Sequence, residues 1–400
     1  MIPDGMHDVL PVEAAELRVL EETVRSRFAS YGYAEVRTPV LEFAETIEAA
    51  DDEVLDAGLR LSDGSGGRLM LRSDLTVATA RLAASRLHER PLPLRLCYVA
   101  DSFRPVAPRR GEEGQVAQAG VELLGLGSPQ ADAECVILLC DALAAAGLAG
   151  YKVTIGTVDF HRELVAAFGL ADDDADDVFE ALSARDYPLL ESIAANSELG
   201  DAGRLALQKA LELSGGDDAL AEARRLAKSD GMEAAVDRLV EVRDLATEAG
   251  FGESVGFDFG LFLDFSYYTG LVIEAYAPGI GLPIASGGRY DGLLATFGWE
   301  IPAVGFALSL DRLHIAAVEQ KAPVTTGGSG TVSFLGGLDE VERAMELRRA
   351  GLAVAALPAG DDDVPAPSLR RENGEWAATT ADGRTARGSW RDVLHALGAG

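Results

Sequence analysis

Basic charge, cysteine and long apolar runs are what this 400-residue chain has little of. Lysine and arginine number 35 against 65 aspartates and glutamates, a formal net charge of −30. Nucleic-acid affinity comes largely from basic side chains displacing counterions, so this balance opposes tight, non-specific polyphosphate binding. The longest basic cluster, Arg109 and Arg110, runs straight into Glu112 and Glu113. No nucleic-acid partner is expected. No apolar stretch approaches the roughly 20 residues that span a bilayer. The best candidate, Val136 to Leu148, is broken by Asp141, so no membrane partner is expected. The opening MIPDGMHDVLP has neither a basic flank nor an apolar stretch, which argues against a secretory signal. Cys97, Cys135 and Cys140 show no ligand-like pairing. On one helix, Cys135 and Cys140 would point about 140° apart, so all three read as buried thiols. Five scattered histidines (His7, His88, His161, His314, His395) imply no metal site, and no cofactor is implied. A cytoplasmic protein is the expectation.

What is present reads as a globular chain, 48% apolar and 25% charged, too long for one ordinary core. Leu17, Leu20, Val24 and Phe28 recur at helical spacing after Pro11, and the helix should stop near Tyr31-Gly32. Glu35 to Leu41 reads as a strand running into Pro39. A glycine-rich turn, Asp63 to Gly67, with leucines on both sides predicts a hairpin. Residues 77–88 and Ala131 to Ala146 read as helices, Leu94 to Val99 and Ala119 to Leu124 as strands. Residues 170–250, rich in Ala, Leu, Asp and Glu, read as a helical insert. Strands resume at Val272 to Tyr276 and Ile284 to Ser286, and a helix follows from Leu308. The stretch VTTGGSG (Val324 to Gly330) reads as a linker between a unit of residues 1–320 and a smaller α/β segment of residues 331–400. That segment opens with a strand (Val332 to Phe334) and a helix (Val341 to Ala350). The pattern predicts an α+β fold with a mostly antiparallel sheet flanked by helices.

Four stretches concentrate polar residues among apolar neighbours: LRSDLT (Leu71 to Thr76), Phe103 to Gly125, LDFSYYTGLVIEAY (Leu263 to Tyr276) and SGGRYDGLL (Ser286 to Leu294). In the second, period-two alternation puts Gln118 and Glu122 on one strand face. Each stretch has an ordinary reading as well. A Gln/Glu strand is often a solvent face, a Tyr pair before Thr-Gly is often core plus turn, and GGRYDG alone could be a surface hairpin.

Together the four stretches resemble the class II histidyl-tRNA synthetase family, over the chain up to about residue 320. PDGMHDVLP and YAEVRTPVLE (Tyr33 to Glu42) match the family's opening segment and first class motif, with Pro39 where the dimer interface is expected. Phe103-Arg104 and the strand from Gln118 to Glu122 match its second motif. YYTG and GGRYDGL match two segments peculiar to the histidine branch, and PAVGFALSLDRL (Pro302 to Leu313) matches its third motif, with Arg312 at the motif's arginine. By this resemblance Asp74, Thr76 and Gln118 would hold the α-ammonium of histidine, and Glu122, Tyr268 and Tyr290 would read its imidazole ring.

The resemblance fails on the catalytic side. The histidine-branch arginine falls at Leu263, the acid after Arg104 at Val106, and the loop arginines at Ala107, Glu112 and Gly114. Glu112 and Glu113 would repel ATP, and the third motif's second glycine is Ser309. Electrostatic stabilisation by charged groups normally contributes more to such chemistry than any other effect. Arg104 and Arg312 therefore read as vestiges of a nucleotide site, and no residue is assigned a catalytic role. LRSDLT is similar to its counterpart in the paralogue family of ATP phosphoribosyltransferase regulatory subunits, which act in histidine biosynthesis. The final segment, with Asp361 to Asp363, is short and not basic, unlike an RNA-reading domain. The resemblance then implies a non-catalytic subunit, dimeric with itself and paired with a short-form ATP phosphoribosyltransferase catalytic subunit. It would activate that partner and bind L-histidine for feedback on the first step of the pathway. A divergent histidine-tRNA ligase and a stand-alone histidine-binding module remain alternatives. The first would need a basic residue near Leu263, and Gly260 to Tyr268 contain none.

Overall fold

The computed structural model describes residues 2–48, 58–62, 64, 66–105, 113–170, 175, 177–179, 181, 186–196, 200–261, 267–322, 332–335, 341–350, 352–356 and 367–397. The expected linker Val324 to Gly330, the acids Asp361 to Asp363, and Val106, Ala107, Glu112 and Leu263 lie outside these residues. The chain divides into two compact units, Met1–Val324 and Thr325–Gly400.

The first unit is built on a nine-stranded sheet. Its strands run in the order Ala34–Glu35, Leu94–Phe103, Gln115–Leu124, Ala303–Ser309, Ala285–Arg289, Leu271–Tyr276, Lys152–Thr157, Val255–Asp258 and Ser214–Gly215. Only Ala34–Glu35 against Leu94–Phe103, and Lys152–Thr157 against Val255–Asp258, pair in parallel. The fold is therefore α+β with a mostly antiparallel sheet.

The opening helix, Pro11–Ser30, starts on a proline, whose missing N–H is no loss in a first turn. It buries Leu20, Val24 and Phe28, and Gly32, at φ +84°, ends it in a conformation that side chains resist. This helix and Pro129–Ala145 share one core cluster with Ala119, Val121 and Leu123. On the other face of that strand, Leu124 joins a second cluster with Val77 and Ala80 of the helix Leu75–Arg86, and with Tyr290. The candidate cleft lies on this second face. The thiols of Cys97, Cys135 and Cys140 are free and buried.

Two expectations need correction. Glu35 to Leu41 is not one strand. Ala34–Glu35 joins the large sheet, Val36 N–H donates to the Cys97 carbonyl at 2.8 Å, and Leu41–Phe43 then pairs with Arg68–Leu71 in a separate three-stranded sheet. Pro39, between them, has no N–H to continue a ladder. Nor is the region 170–250 wholly helical. Its helices Tyr187–Asn196, Gly200–Leu211, Asp217–Leu226 and Asp230–Glu248 are interrupted by Ser214–Gly215, which pairs with Val255–Asp258 at the sheet edge.

The second unit has its own five-stranded sheet, in the order Val354–Ala356, Val332–Leu335, Ser368–Glu372, Glu375–Thr379 and Thr385–Gly388. Phe334, Leu347, Leu369, Trp376 and Val393 form its core. Its last helix, Trp390–Ala396, opens with a capping box between Ser389 and Asp392. No helix among the described residues is long and apolar enough to cross a membrane.

Candidate functional site

Alternation along Gln115–Leu124 sends Ala119, Val121 and Leu123 into the main core and leaves Gln118, Gly120 and Glu122 on the other face. Neighbouring strands complete the floor. Tyr98 stands opposite Gly120, and Gly305 opposite Glu122. A Cβ on Gly120 would collide with the Tyr98 ring, and one on Gly305 with Glu122 Oε2. These glycines are needed for space, so that a ring and a carboxylate can lie flat on the sheet. Glu122 is thus no solvent-face residue, being 2% exposed.

The other walls come from three places. Asp74 caps the helix Leu75–Arg86, its Oδ1 accepting from Thr76 N at 2.5 Å and Val77 N at 3.2 Å. Tyr267 and Tyr268 enter from the segment before Leu271–Tyr276, with ring centroids 4.7 Å apart. Tyr290 follows the strand Ala285–Arg289, and its hydroxyl donates to Glu122 Oε2. The GGRYDG stretch is therefore not a surface hairpin. Arg289, 3% exposed, turns away to Asp132 with Nε at 2.9 Å and Nη2 at 2.5 Å. Arg238 holds the other Asp132 oxygen at 2.5 Å. Asp291 accepts from Arg289 at 2.9 Å and from Ala303 N at 3.0 Å. The motif's charged residues lock the backbone while Tyr290 faces Glu122.

These walls enclose a small, narrow cleft. Asp74, Thr76, Gln118, Tyr268 and Tyr290 line it. Glu122 lies behind this wall, under Tyr290 and within 3.4 Å of the Tyr98 hydroxyl. Arg104 also lines the cleft, its Nε donating to the Ser73 carbonyl at 3.3 Å. Arg312 does not. It donates to the Pro283 carbonyl at 2.8 Å and pairs with Glu113 at 3.6 Å. Ser309, where the synthetase motif has glycine, caps the helix Leu310–Glu319. The sequence reading missed Tyr98 and Tyr267. For Tyr98 a signal existed, since an aromatic residue opposite a strand glycine commonly lies across it.

Burial pushes the Glu122 carboxyl up to about 8, against the lowering effect of hydrogen bonds from Tyr290, Thr76 and Tyr98; the nearby Asp74 charge adds to the rise. Burial first, and neighbouring acids second, also raise Tyr98, Tyr268 and Tyr290. The phenols are therefore donors at neutral pH. The folded chain holds a proton on Glu122 that the unfolded chain releases above about 4.5. That stabilisation is full below pH 4.5 and is lost as pH rises through about 8. A shift of this size is worth on the order of a few kcal/mol. Glu122→Gln should accordingly flatten the fall of unfolding temperature between pH 5 and 8. Calorimetric scans across this range check it, and an unchanged slope would count against a protonated Glu122.

No His/Cys/Asp/Glu group that could hold a metal occurs among the described residues. The cleft can present a carboxylate, an amide and several phenols to a small ligand with both donors and acceptors.

Fold and site together define a histidyl-tRNA synthetase-like protein, and the histidyl-tRNA synthetase family model matches residues 5–313. The ATP phosphoribosyltransferase regulatory subunit of Moorella thermoacetica is 39% identical over 88% of this chain and 91% of its own length. That of Symbiobacterium thermophilum is also 39% identical, over 88% and 90%. A Bacillus halodurans structure described as an ATP phosphoribosyltransferase regulatory subunit/histidyl-tRNA synthetase superposes with a TM-score of 0.79 at 32% identity. It covers 91% of this chain and 94% of that one. Histidyl-tRNA synthetase from Nostoc, at 20% identity and a TM-score of 0.77 over 100% of this chain and 98% of its own, shares the fold. The chain belongs to the family of ATP phosphoribosyltransferase regulatory subunits, a branch on the histidyl-tRNA synthetase fold.

Proposed function

We propose that this chain is a non-catalytic, cytoplasmic subunit that activates a short-form ATP phosphoribosyltransferase and carries feedback by L-histidine bound in the cleft. The observation that carries the reading is the retained cleft itself. Asp74, Thr76 and Gln118 suit an α-ammonium, and the Tyr268–Tyr290–Glu122 group suits an imidazole. The positions that would serve a nucleotide are occupied otherwise. Arg312 is engaged by Glu113 and the Pro283 carbonyl. Arg104 would remain as a vestige of that site, and Leu263, Val106, Ala107 and Glu112 replace charged groups of the synthetase. Catalysis, transfer of a phosphoribosyl group from phosphoribosyl pyrophosphate to ATP, then rests with the partner. Feedback requires a coupling free energy between two sites, typically ~1–3 kcal/mol. No nucleic acid enters this reading.

The experiment is kinetic. Adding the chain to a short-form catalytic subunit should raise its turnover, and histidine should inhibit the pair at lower concentration than the catalytic subunit alone. Tyr268→Phe should blunt the added histidine sensitivity and leave activation largely intact. Turnover indifferent to the chain would overturn the activating role. Full histidine sensitivity in the cleft variant would move the regulatory site elsewhere.

We further propose that the chain pairs with a second copy through the small three-stranded sheet. Leu41, Phe43 and Leu61 project from one face of it at 45%, 58% and 46% exposure. A contiguous apolar face of this kind is characteristic of an interface. Phe43→Asp should shift the sedimenting species from dimer to monomer. A wild-type chain that sediments as a monomer at micromolar concentration would refute the assignment.

A further inference from the structure

A carboxylate has about four acceptor sites, and Asp74 uses three of them inside the protein. Oδ1 takes the two helix N–H groups described above. Oδ2 takes the Tyr267 hydroxyl at 2.9 Å. The helix cap needs only the first oxygen, and Tyr267 arrives from 193 residues away in sequence. Its direction is not free to wander. The ring packs 4.7 Å from that of Tyr268 and 5.9 Å from that of Tyr290, edge-on to the latter. Tyr267 is 8% and Asp74 7% exposed, and both line the cleft. Burial and the facing Asp74 keep the phenol protonated, its pKa well above the ordinary value. Three donors on one carboxylate orient both of its oxygens. The acceptor capacity left over belongs to Oδ2, at the cleft wall.

We propose that Tyr267 is a positioning residue whose hydroxyl aims the Asp74 carboxylate at the ammonium of an α-amino-acid ligand, making the amine a requirement for tight binding. The inference rests on the reading of the cleft as a histidine site and adds the device that selects the amino group. Tyr267 itself contacts the carboxylate, and the carboxylate contacts the ligand. A merely structural tyrosine, fastening its segment to the helix cap, would act on every ligand of the cleft alike.

The test is calorimetric titration of the full chain with L-histidine and with 3-(imidazol-4-yl)propionate, which keeps the ring and carboxylate but lacks the amine. Tyr267→Phe preserves the ring packing, and Asp74→Asn preserves a good N-cap residue. Tyr267→Phe should weaken L-histidine about five- to tenfold and leave the deaminated ligand within about twofold. Asp74→Asn should show the same selectivity loss, and the double variant should bind no more weakly than Asp74→Asn alone. Equal losses for both ligands, no loss, or additive losses in the double variant overturn the positioning role while leaving the histidine site standing. A wild-type chain that binds neither ligand overturns both.

Discussion

Replacing Glu122 by alanine is expected to weaken L-histidine binding about ten- to hundredfold, the largest loss of any single change in the cleft. Glu122 does not need to line the wall for this. It accepts from Tyr290 and sits 3.4 Å from the Tyr98 hydroxyl, and Thr76 also donates to it. Truncation leaves these buried donors without an acceptor, each at a cost on the order of 1–3 kcal/mol. Tyr290, no longer held, would turn from the position in which it meets a ligand ring. Glu122→Gln keeps the volume and an acceptor oxygen, so it should lose less than the alanine variant. Titration calorimetry of the two variants against wild type reads the difference. Affinity within twofold of wild type in Glu122→Ala would remove Glu122 from the recognition apparatus.

Asp132→Ala should cost about 3–5 kcal/mol of stability, because it strands a buried arginine without its counter-charge. Asp132 is 0% and Arg289 3% exposed, and a second arginine, Arg238, shares the same carboxylate. Surface ion pairs elsewhere in the chain carry far less weight, since exposed pairs are typically worth under about 1 kcal/mol. Chemical denaturation should show the loss in the midpoint. Because Arg289 immediately precedes Tyr290, the same variant should also weaken histidine binding. Arg238→Ala, which leaves the Arg289–Asp132 contacts in place, serves as the milder control. A denaturation midpoint for Asp132→Ala equal to that of Arg238→Ala would show that the Asp132–Arg289 pair does not stabilise the fold as argued.

The contrast between these two carboxylates shows what could be read from the chain and what could not. Gln118 and Glu122 were placed on one face by alternation, a local rule that holds along any strand. The opening helix was legible for the same reason, through Leu20, Val24 and Phe28. In the sequence, Asp132 is one more acidic residue, standing in the first turn of the helix Pro129–Ala145. Its partner Arg289 lies 157 residues on and meets it only when the sheet closes. Tyr267 on Asp74 is the same case, with 193 residues between them. Contacts of this separation leave no periodic trace in one sequence. The failure at Glu35 to Leu41 was different. Period and composition were right for a strand, but Pro39 divided it between two sheets. The charge of −30 argues for caution about polyanion binding, yet it says nothing of Arg312, whose charge is met by Glu113 at 3.6 Å.

Gly120, Gly287 and Gly305 leave the floor of the cleft without a Cβ, and none of them adopts positive φ. Alanine could take their backbone conformation, and it would restrict the unfolded chain, which at a permissive site gains about 0.4–1 kcal/mol. Here the added methyl would meet the Tyr98 ring at Gly120, the Gly305 carbonyl at Gly287 and Glu122 at Gly305. The protein therefore carries surplus unfolded-state entropy at three positions in order to keep a bed one ring thick. An engineer raising its melting temperature by exchanging glycines should start with Gly292, at φ −86° and ψ −21°, where nothing crowds the missing methyl, and leave these three alone. At the floor, thermal robustness and room for a ligand draw on the same few cubic ångströms.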